Sequence, residues 1–313
     1  MSEVRLASIV PTLDRPEDIA EFVESLVQQT VPTHQLVVVD AGKDPRIEDI
    51  LRKGLEGSGI ELLYSRSKPG TSLQRNIALE QFDADIVFFF DDDVLLEPDY
   101  VEKTLECFEM ERNPPVGCVL GTFSSPSRER GWRQRYFHLF GMTHSIPGDA
   151  ASVSRSGGVR WLIDPPEVVP VPVASGGRTA YRSACLTDER FDEFLPGYTM
   201  SEDVEFSHRI AQEWTILQTP KARLFHKRSP TARVNYGDRV SRLLYSRFYF
   251  FKKHIAKQPL NLLAFGWTVL GISTFYIGVS AVKSGQGGRF GAARGVVSGY
   301  RRCINDLLGR ELD

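Results

Sequence analysis

Three consecutive aspartates, Asp91, Asp92 and Asp93, follow directly after the apolar run Phe88–Phe90. This run predicts a buried strand, which places the aspartates at its carboxyl end, where open α/β sheets bind their ligands. Adjacent carboxylates repel one another and favour a bound cation. Mg²⁺ and Mn²⁺ take oxygen ligands from carboxylates, water and phosphate. The cluster therefore predicts a metal–diphosphate site, with a solvated acidic turn as the alternative.

A second acidic pair, Glu202 and Asp203, follows Ser201 at the predicted start of a helix. Carboxylates in a first turn complement the helix dipole, so this pair has a structural explanation. A carboxylate can also accept the proton of an attacking hydroxyl group, which is the catalytic explanation. His226 likewise has two interpretations, as a metal ligand or as a structural histidine.

The elements that must position these residues are predicted from hydrophobic periodicity. Short apolar runs alternate with helical patterns, which indicates βαβ units and a mostly parallel sheet covered on both faces. The predicted strands are Val4–Val10, Gln35–Asp40, Ile60–Arg66, Asp85–Asp91 and Val116–Phe123. Helices are predicted around Ile19–Val27, Leu73–Phe82 and Val101–Phe108.

Residues 124–172 are rich in Ser, Arg, Gly and Pro and show no regular pattern. A connection of this length is unusual in a compact domain, so we expect a mobile or substrate-covering segment. Order is predicted to return at Val173–Ser183. A helix is then expected to begin near Ser201.

Composition excludes several classes of protein. The chain has 313 residues, with 38 Lys and Arg against 40 Asp and Glu, so no global basic field indicates nucleic-acid binding. Its four cysteines lack C-x-x-C spacing, which argues against a zinc or dithiol site. The amino terminus lacks a secretory signal, which predicts a cytoplasmic catalytic part. No G-x-G-x-x-G fingerprint of a dehydrogenase is present.

The carboxyl-terminal part contains Leu260–Val282, a stretch of 23 residues without a charged side chain and with basic residues on both sides. It is long enough to cross a bilayer, but the basic flanks give no clear orientation. Asn261, Ser273, Ser280 and several glycines weaken the spanning signal, so an interfacial or re-entrant hairpin is a serious alternative, and membrane association is favoured over a crossing. Gly287, Gly291, Gly295 and Gly299 recur every four residues, which predicts a small-residue face for close helix packing.

The order of five short motifs along the chain resembles that of the family 2 glycosyltransferases, which are inverting enzymes of the GT-A type. These motifs are Ile9–Thr12, Val37–Asp40, Arg75-Asn76, Asp91–Asp93 and Ser201–Asp203. The resemblance covers about residues 4–230.

The resemblance implies a GT-A fold, in which a Rossmann-like and mostly parallel central sheet is flanked by helices. Residues 1–230 would form the catalytic domain, with a nucleotide-sugar-binding half at about 1–123 and an acceptor half at about 173–230. Residues 231–313 would form an apolar helical tail that associates with the membrane. The chain would then transfer a sugar from a nucleotide-diphosphate sugar to a hydroxyl acceptor, such as a lipid-linked or cell-surface glycan precursor.

The resemblance also implies a role for each site residue. Donor contacts would come from Pro11, Thr12, Asp14, Asp40, Arg75, Asp91 and Asp92. Acceptor contacts would come from Gly176, Gly177 and Glu202. Asp93 and His226 would hold Mn²⁺ or Mg²⁺, and Asp203 would be the general base. The location expected is the cytoplasmic face of the cell membrane, whether peripheral, re-entrant or single-pass.

Two other functions are weighed against this one. A sugar nucleotidyltransferase would carry a glycine-rich phosphate loop after the first strand, whereas residues 10–15 read Val-Pro-Thr-Leu-Asp-Arg. A catalytically silent membrane-bound scaffold would share the fold without the activity. The intact Asp91–Asp93 cluster and Asp203 argue against the scaffold.

Overall fold

A computed structural model describes residues 4–124, 131–142, 150–194, 200–229, 235–282 and 290–311. The chain forms two compact units. Unit 1 comprises residues 1–126, 163–197 and 202–232, and unit 2 comprises residues 127–162, 198–201 and 233–313. The domain boundary expected near residue 230 stays a prediction. Unit 2 adds residues 127–162 to the carboxyl-terminal helices.

Unit 1 is built on one sheet of nine strands with helices α1 to α4 and α6. The strands are β1 (Leu6–Thr12), β2 (Gln35–Asp40), β3 (Glu61–Arg66), β4 (Ile86–Phe90), β5 (Val94–Leu96), β6 (Val116–Phe123), β9 (Val169–Pro170), β10 (Arg178–Arg182) and β11 (Thr215–His226). The helices are α1 (Pro16–Val27), α2 (Arg46–Gly54), α3 (Thr71–Leu79), α4 (Tyr100–Phe108) and α6 (Glu202–Ile210).

The sheet order is β3-β2-β1-β4-β10-β6-β11-β5, with β9 paired to β11. Strands β1 to β4 are parallel to one another, and β6 is parallel to β11. Strands β5, β9 and β10 run antiparallel to their neighbours. The GT-A-type, mostly parallel sheet expected from the sequence is therefore confirmed, and β5, β9 and β10 are its antiparallel members.

The core explains why the apolar runs become central strands. All residues of β2 and β4 are buried, as expected for strands covered on both faces. Alternate side chains of β4 enter the core through Phe88 and Phe90, whose rings lie 5.8 Å apart. The Phe90 ring also meets Phe22 of α1 and Tyr100 of α4. These contacts fix the end of β4, from which the aspartates emerge.

Several boundaries differ from the predicted ones. Strands β2 and β6 have the predicted bounds, but β1 is shifted to Leu6–Thr12. The shift arises because pairing with β2 continues as far as Thr12 opposite Asp40, whereas Val4 is half exposed. The strand predicted at Asp85–Asp91 is shorter by one residue at each end, and β10 occupies only part of Val173–Ser183.

Sequence periodicity missed α2, β5 and β11 in unit 1. Helix α2 has only two buried side chains, Ile47 and Leu51, so its apolar pattern is short. Strand β11 contains Pro220 and Lys221, which interrupt its apolar pattern at a register shift. Residues 124–172 are not uniformly irregular, because they contain α5 (Trp132–Leu139) and three short strands. Residues 125–130 and 143–149 of that segment lie outside the described residues.

Unit 2 contains α5, the hairpin of β7 (Ser152–Val153) and β8 (Val159–Arg160), and the helices α7 (Tyr236–His254), α8 (Pro259–Val282) and α9 (Gly291–Leu307). Helix α8 is long and apolar enough over Pro259–Gly278 to cross a membrane. The predicted glycine face is confirmed at Gly295, where a Cβ would lie 2.2 Å from the carbonyl oxygen of Gly237. Gly287 lies outside the described residues.

Candidate functional site

The aspartate cluster lies where β4 ends and β5 begins. Strand β5 pairs antiparallel with β11, and this pairing sets Val94 opposite His226. The Nε2 atom of His226 consequently lies 3.1 Å from Oδ1 of Asp93, although the two residues are far apart in sequence. The Phe123 ring stacks on the His226 imidazole at 5.6 Å between ring centroids. The strand pairing thus places an imidazole nitrogen beside the acidic cluster.

Asp91, Asp93 and His226 each offer one ligand atom, and these three atoms lie within 4.8 Å of one another. Two carboxylates and one imidazole suit Mn²⁺, and the carboxylates suit Mg²⁺. Burial alone would raise the pKa of Asp93, but the hydrogen bond and charge of His226, with Arg15 and the Ser229 N–H, outweigh it and lower the pKa. These three side chains therefore fit the expected cation, and Asp91 is a further candidate ligand beside the predicted Asp93 and His226.

Asp92 turns away from this group and binds within the protein. Its Oδ2 accepts a hydrogen bond from Thr12 Oγ1 at 2.7 Å, and its Oδ1 lies 2.7 Å from Nη1 of Arg15. Burial raises the pKa of Asp92 to about 6, opposed by Arg15 and Thr12. Both oxygens of Asp92 thus connect the end of β1 to the end of β4. Its predicted contact with the donor stays a prediction.

Asp40 lies at the end of β2 and is fully buried. Its Oδ1 accepts from the Gly42 N–H at 2.7 Å, and its Oδ2 accepts from the Tyr64 hydroxyl at 2.8 Å and lies 3.4 Å from Nη1 of Arg66. Burial and the hydrogen bond to Asp40 raise the pKa of Tyr64 to about 12. Tyr64 and Arg66 are two residues apart in β3 and lie on the same face of that strand, so they are further candidates for contact with a nucleobase.

Asp14 holds the turn after β1 against the turn after β2. Its backbone has a φ of 51°, in the left-handed region that aspartate tolerates better than most residues. Its Oδ1 accepts from the backbone N–H groups of Lys43 at 2.5 Å and Asp44 at 3.0 Å. A Cβ on Gly42 would lie 2.6 Å from the Asp14 nitrogen, so the approach requires glycine. Asp14 therefore fixes the shape of the two turns that are predicted to contact the nucleobase.

Arg75 is buried in α3 and bridges two acidic residues. Its Nη1 lies 2.9 Å from Oε1 of Glu202, and its Nη2 lies 3.5 Å from Oδ1 of Asp91. Burial and the Asp203 charge raise the pKa of Glu202, and the Arg75 charge partly offsets the rise. The predicted donor role of Arg75 and the predicted acceptor role of Glu202 stay predictions. The structure adds a charged connection between the two halves of unit 1.

Gly176 and Gly177 stand between the acidic cluster and Asp203. The Gly176 N–H donates to Oδ2 of Asp203 at 2.5 Å. Gly177 has a φ of +77°, and a Cβ there would lie 2.2 Å from Oδ2 of Asp91. Two successive glycines thus contact the two carboxylates, which brings Asp91 and Asp203 to the same small region. Asp203 is partly exposed, as a general base for an external acceptor must be.

Not every predicted site residue lies in one cluster. Asp91, Asp93, Asp203, His226, Gly176 and Gly177 share a region with the Arg75–Glu202 pair. Pro11 is a half-buried member of β1, and Thr12, Asp14 and Asp40 mark the ends of β1 and β2. The contributions of Tyr64 and Gln74 were missed. Gln74 donates to the carbonyl oxygens of Thr12 at 3.0 Å and Val39 at 2.8 Å, and one interior polar residue gives no periodic signal.

Comparisons with known proteins relate this chain to glycosyltransferases. Residues 8–162 match the model of glycosyl transferase family 2. Glycosyltransferase GlyA of Streptococcus pneumoniae serotype 4 is 23% identical over 262 residues, which are 80% of this chain and 36% of that protein. The glucosyl-dolichyl phosphate glucuronosyltransferase of Haloferax volcanii is 29% identical over 111 residues, 36% of this chain and 35% of that one.

Solved structures share this fold. A mannosyltransferase from Pyrobaculum calidifontis, solved with GDP-Man and Mn²⁺, superposes with a TM-score of 0.56 at 15% identity, over 99% of this chain and 89% of that chain. The two curated relatives are matched over only about a third of their own length. Residues 8–162 nevertheless form a glycosyl transferase family 2 domain, and the chain has the GT-A fold.

Proposed function

We propose that this chain transfers a sugar from a nucleotide-diphosphate sugar to a hydroxyl acceptor, with inversion at the anomeric carbon. One observation carries the proposal. The cation-binding trio of Asp91, Asp93 and His226 and the partly exposed Asp203 meet across Gly176 and Gly177. A site for a diphosphate thus adjoins a carboxylate that can accept a proton, which is what a single displacement requires.

The reaction follows from the positions of these groups. Asp203 accepts the proton of the acceptor hydroxyl as its oxygen forms a bond to the anomeric carbon. The bond from that carbon to the diphosphate oxygen breaks, and the nucleoside diphosphate leaves with the bonding electrons. Attack from the face opposite the leaving group inverts the configuration. A cation held by Asp91, Asp93 and His226 would neutralise charge on the diphosphate.

The donor class is supported by the ends of β1, β2 and β3. Tyr64 and Arg66, both held by the fully buried Asp40, offer a hydroxyl group and a guanidinium group for a nucleobase. The related structure from Pyrobaculum calidifontis holds GDP-Man and Mn²⁺, which supports a nucleotide-sugar donor and Mn²⁺ as the cation here.

The acceptor class is supported by unit 2. Helix α8 has no charged residue and is long enough to meet a bilayer, so we include a lipid-linked or cell-surface glycan acceptor and a place at the cytoplasmic face of the membrane. The relative from Haloferax volcanii is named for transfer to a glucosyl-dolichyl phosphate, a lipid-linked sugar.

The experiment is a screen of nucleotide sugars by calorimetry, with and without Mn²⁺, followed by donor turnover. Slow hydrolysis of one nucleotide sugar by the wild type, lost in Asp203→Asn with donor affinity retained, would support transferase chemistry. The configuration of the released sugar, read by NMR before it equilibrates, reports inversion. Binding without turnover of any donor, in the presence of lipid-linked and soluble acceptors, would instead support the silent scaffold.

A further inference from the structure

Helix α8 carries an exposed apolar stripe along one face. Leu263, Trp267, Leu270 and Ile277 are 70%, 47%, 48% and 50% exposed, respectively. Their spacing of three, four and seven residues places them on one side of the helix. We name these four residues the α8 stripe. Such a surface is costly in water, so it indicates a partner or a membrane.

Helix α5 is bound to α8 beside the stripe, and Trp267 contributes both to the stripe and to this contact. The Tyr136 hydroxyl donates to the Gly271 carbonyl oxygen at 2.9 Å, and the Trp267 indole N–H donates to the Leu139 carbonyl oxygen at 2.8 Å. The Phe140 ring stacks on Trp267, with 4.6 Å between ring centroids. These contacts lie at residues 267–271, close to the middle of α8, so α5 is fixed beside the centre of the helix.

Helix α9 is bound to α8 in the same way, through polar groups. The hydroxyl groups of Ser273 and Tyr300 lie 2.8 Å apart, and the Ala293 N–H donates to Ser280 Oγ at 2.9 Å. Helix α9 also packs against α7 at Gly237 and Gly295. Helices α8 and α9 are therefore placed in water or in a membrane as one packed pair.

The charges on α5 and α9 argue against a membrane span. Helix α5 carries Arg133 and Arg135, and α9 carries exposed Arg294 and Arg301. If α8 crossed a bilayer, the arginines of α5 would accompany its centre into the hydrocarbon region, which is costly. With α8 lying in the plane of the interface, the same arginines remain at the level of the headgroups or in water.

Helix α9 has the pattern of an interfacial helix. Its apolar side chains Val297, Ile304 and Leu307 are 70%, 55% and 65% exposed and recur at spacings of three and seven. Arg294 and Arg301, one helical turn from Val297 and Ile304, border this apolar row and are exposed. Arginines beside an exposed apolar row complement the negative charge of anionic lipid headgroups.

We propose that α8 and α9 dock unit 2 flat on an anionic bilayer surface, with the α8 stripe and the apolar row of α9 inserted at the headgroup boundary and with α8 not spanning the membrane. The proposal deepens the membrane association included in the proposed function. It concerns unit 2 alone, so donor binding measured by calorimetry tests the transferase proposal separately.

The first test measures sedimentation of the full-length protein with vesicles of phosphatidylcholine alone or mixed with phosphatidylglycerol. The double variant Leu270→Gln/Ile277→Gln should bind mixed vesicles at least about tenfold more weakly, because it no longer inserts two apolar side chains. Val4→Gln is the matched control, since Val4 of unit 1 is also 50% exposed, and it should bind as the wild type does. Arg294→Gln/Arg301→Gln should remove the preference for phosphatidylglycerol.

The second test reports the orientation of α8. In a Cys303→Ser background, Ala256→Cys and Phe290→Cys place exposed thiols before the start and after the end of α8. A membrane-impermeant maleimide added outside the vesicles should label both thiols, and circular dichroism confirms that each variant is folded. Labelling of one thiol alone would show a span and overturn the proposal. Unchanged vesicle binding by Leu270→Gln/Ile277→Gln would overturn it as well.

Discussion

The Nη1 atom of Arg75 lies 2.9 Å from Oε1 of Glu202, and both side chains are buried. This ion pair joins α3 to the first turn of α6, which also carries Asp203. Nη2 of the same guanidinium group lies 3.5 Å from Asp91. Arg75 therefore connects the candidate cation site to the helix that carries the proposed general base.

We expect Glu202→Ala to lower the free energy of unfolding by about 3 kcal/mol or more, because it leaves a buried guanidinium group without its nearest carboxylate. Urea denaturation measures this change. The control is Glu48→Ala, which removes an exposed ion pair with Arg52 in α2 and should cost under about 1 kcal/mol. Equal losses in the two variants would show that the buried pair adds nothing to stability.

Asp93→Ala should abolish metal-dependent donor binding while leaving the fold intact. It removes a carboxylate from the trio that would hold the cation and also the partner of His226. Calorimetry with a nucleotide sugar, with and without Mn²⁺, checks the loss. The exposed Asp188 of unit 1 provides the control as Asp188→Ala. A mutant that kept its Mn²⁺-dependent affinity would exclude Asp93 as a ligand.

Asp203→Asn should retain donor binding and lose transfer by about 10²–10⁴-fold, the usual contribution of a general base. The amide preserves the size of the side chain and its oxygen can still accept from the Gly176 N–H. Donor affinity from calorimetry and turnover with an acceptor must be measured on the same preparation. Turnover near that of the wild type would reduce Asp203 to a helix-end residue.

Gly177→Ala should weaken metal-dependent donor binding, because the new methyl group would displace the Asp91 carboxylate as well as strain a backbone with a φ of +77°. Gly57→Ala isolates the strain, since Gly57 has a φ of +75° and open space around it. Both variants should lose about 1 kcal/mol of stability from the backbone. Only Gly177→Ala should lose affinity, and a similar loss in Gly57→Ala would refute the steric argument.

The donor side of the site follows from the sequence more readily than the rest. Runs such as Phe88–Phe90 predict buried strands, and a parallel sheet then gathers Thr12, Asp40 and Asp91 at one edge. The contact of His226 with Asp93 requires the pairing of β5 with β11, which no local pattern encodes. The Arg75–Glu202 pair is likewise a tertiary contact between residues far apart in sequence. Periodicity predicts elements, whereas these contacts depend on the topology that joins them.

The close packing of α7 and α9 provides the last prediction. A Cβ on Gly295 would lie 2.2 Å from the Gly237 carbonyl oxygen, so Gly295→Ala should separate the two helices and destabilise unit 2 by about 1–3 kcal/mol. Gly291→Ala on the same helix meets no atom within 4 Å and should be neutral or stabilising by up to about 1 kcal/mol, because alanine favours a helix.

Thermal unfolding followed by circular dichroism distinguishes the two glycine variants, and vesicle sedimentation adds a second readout. If α9 is held against α7 by this contact, Gly295→Ala should also bind anionic vesicles more weakly, because α9 would no longer pack on α7 and its apolar row would no longer have a fixed position. Gly291→Ala should keep the binding of the wild type. Equal melting temperatures for the two variants would show that the glycine face of α9 is not needed for packing, and that the four-residue recurrence has no structural role there.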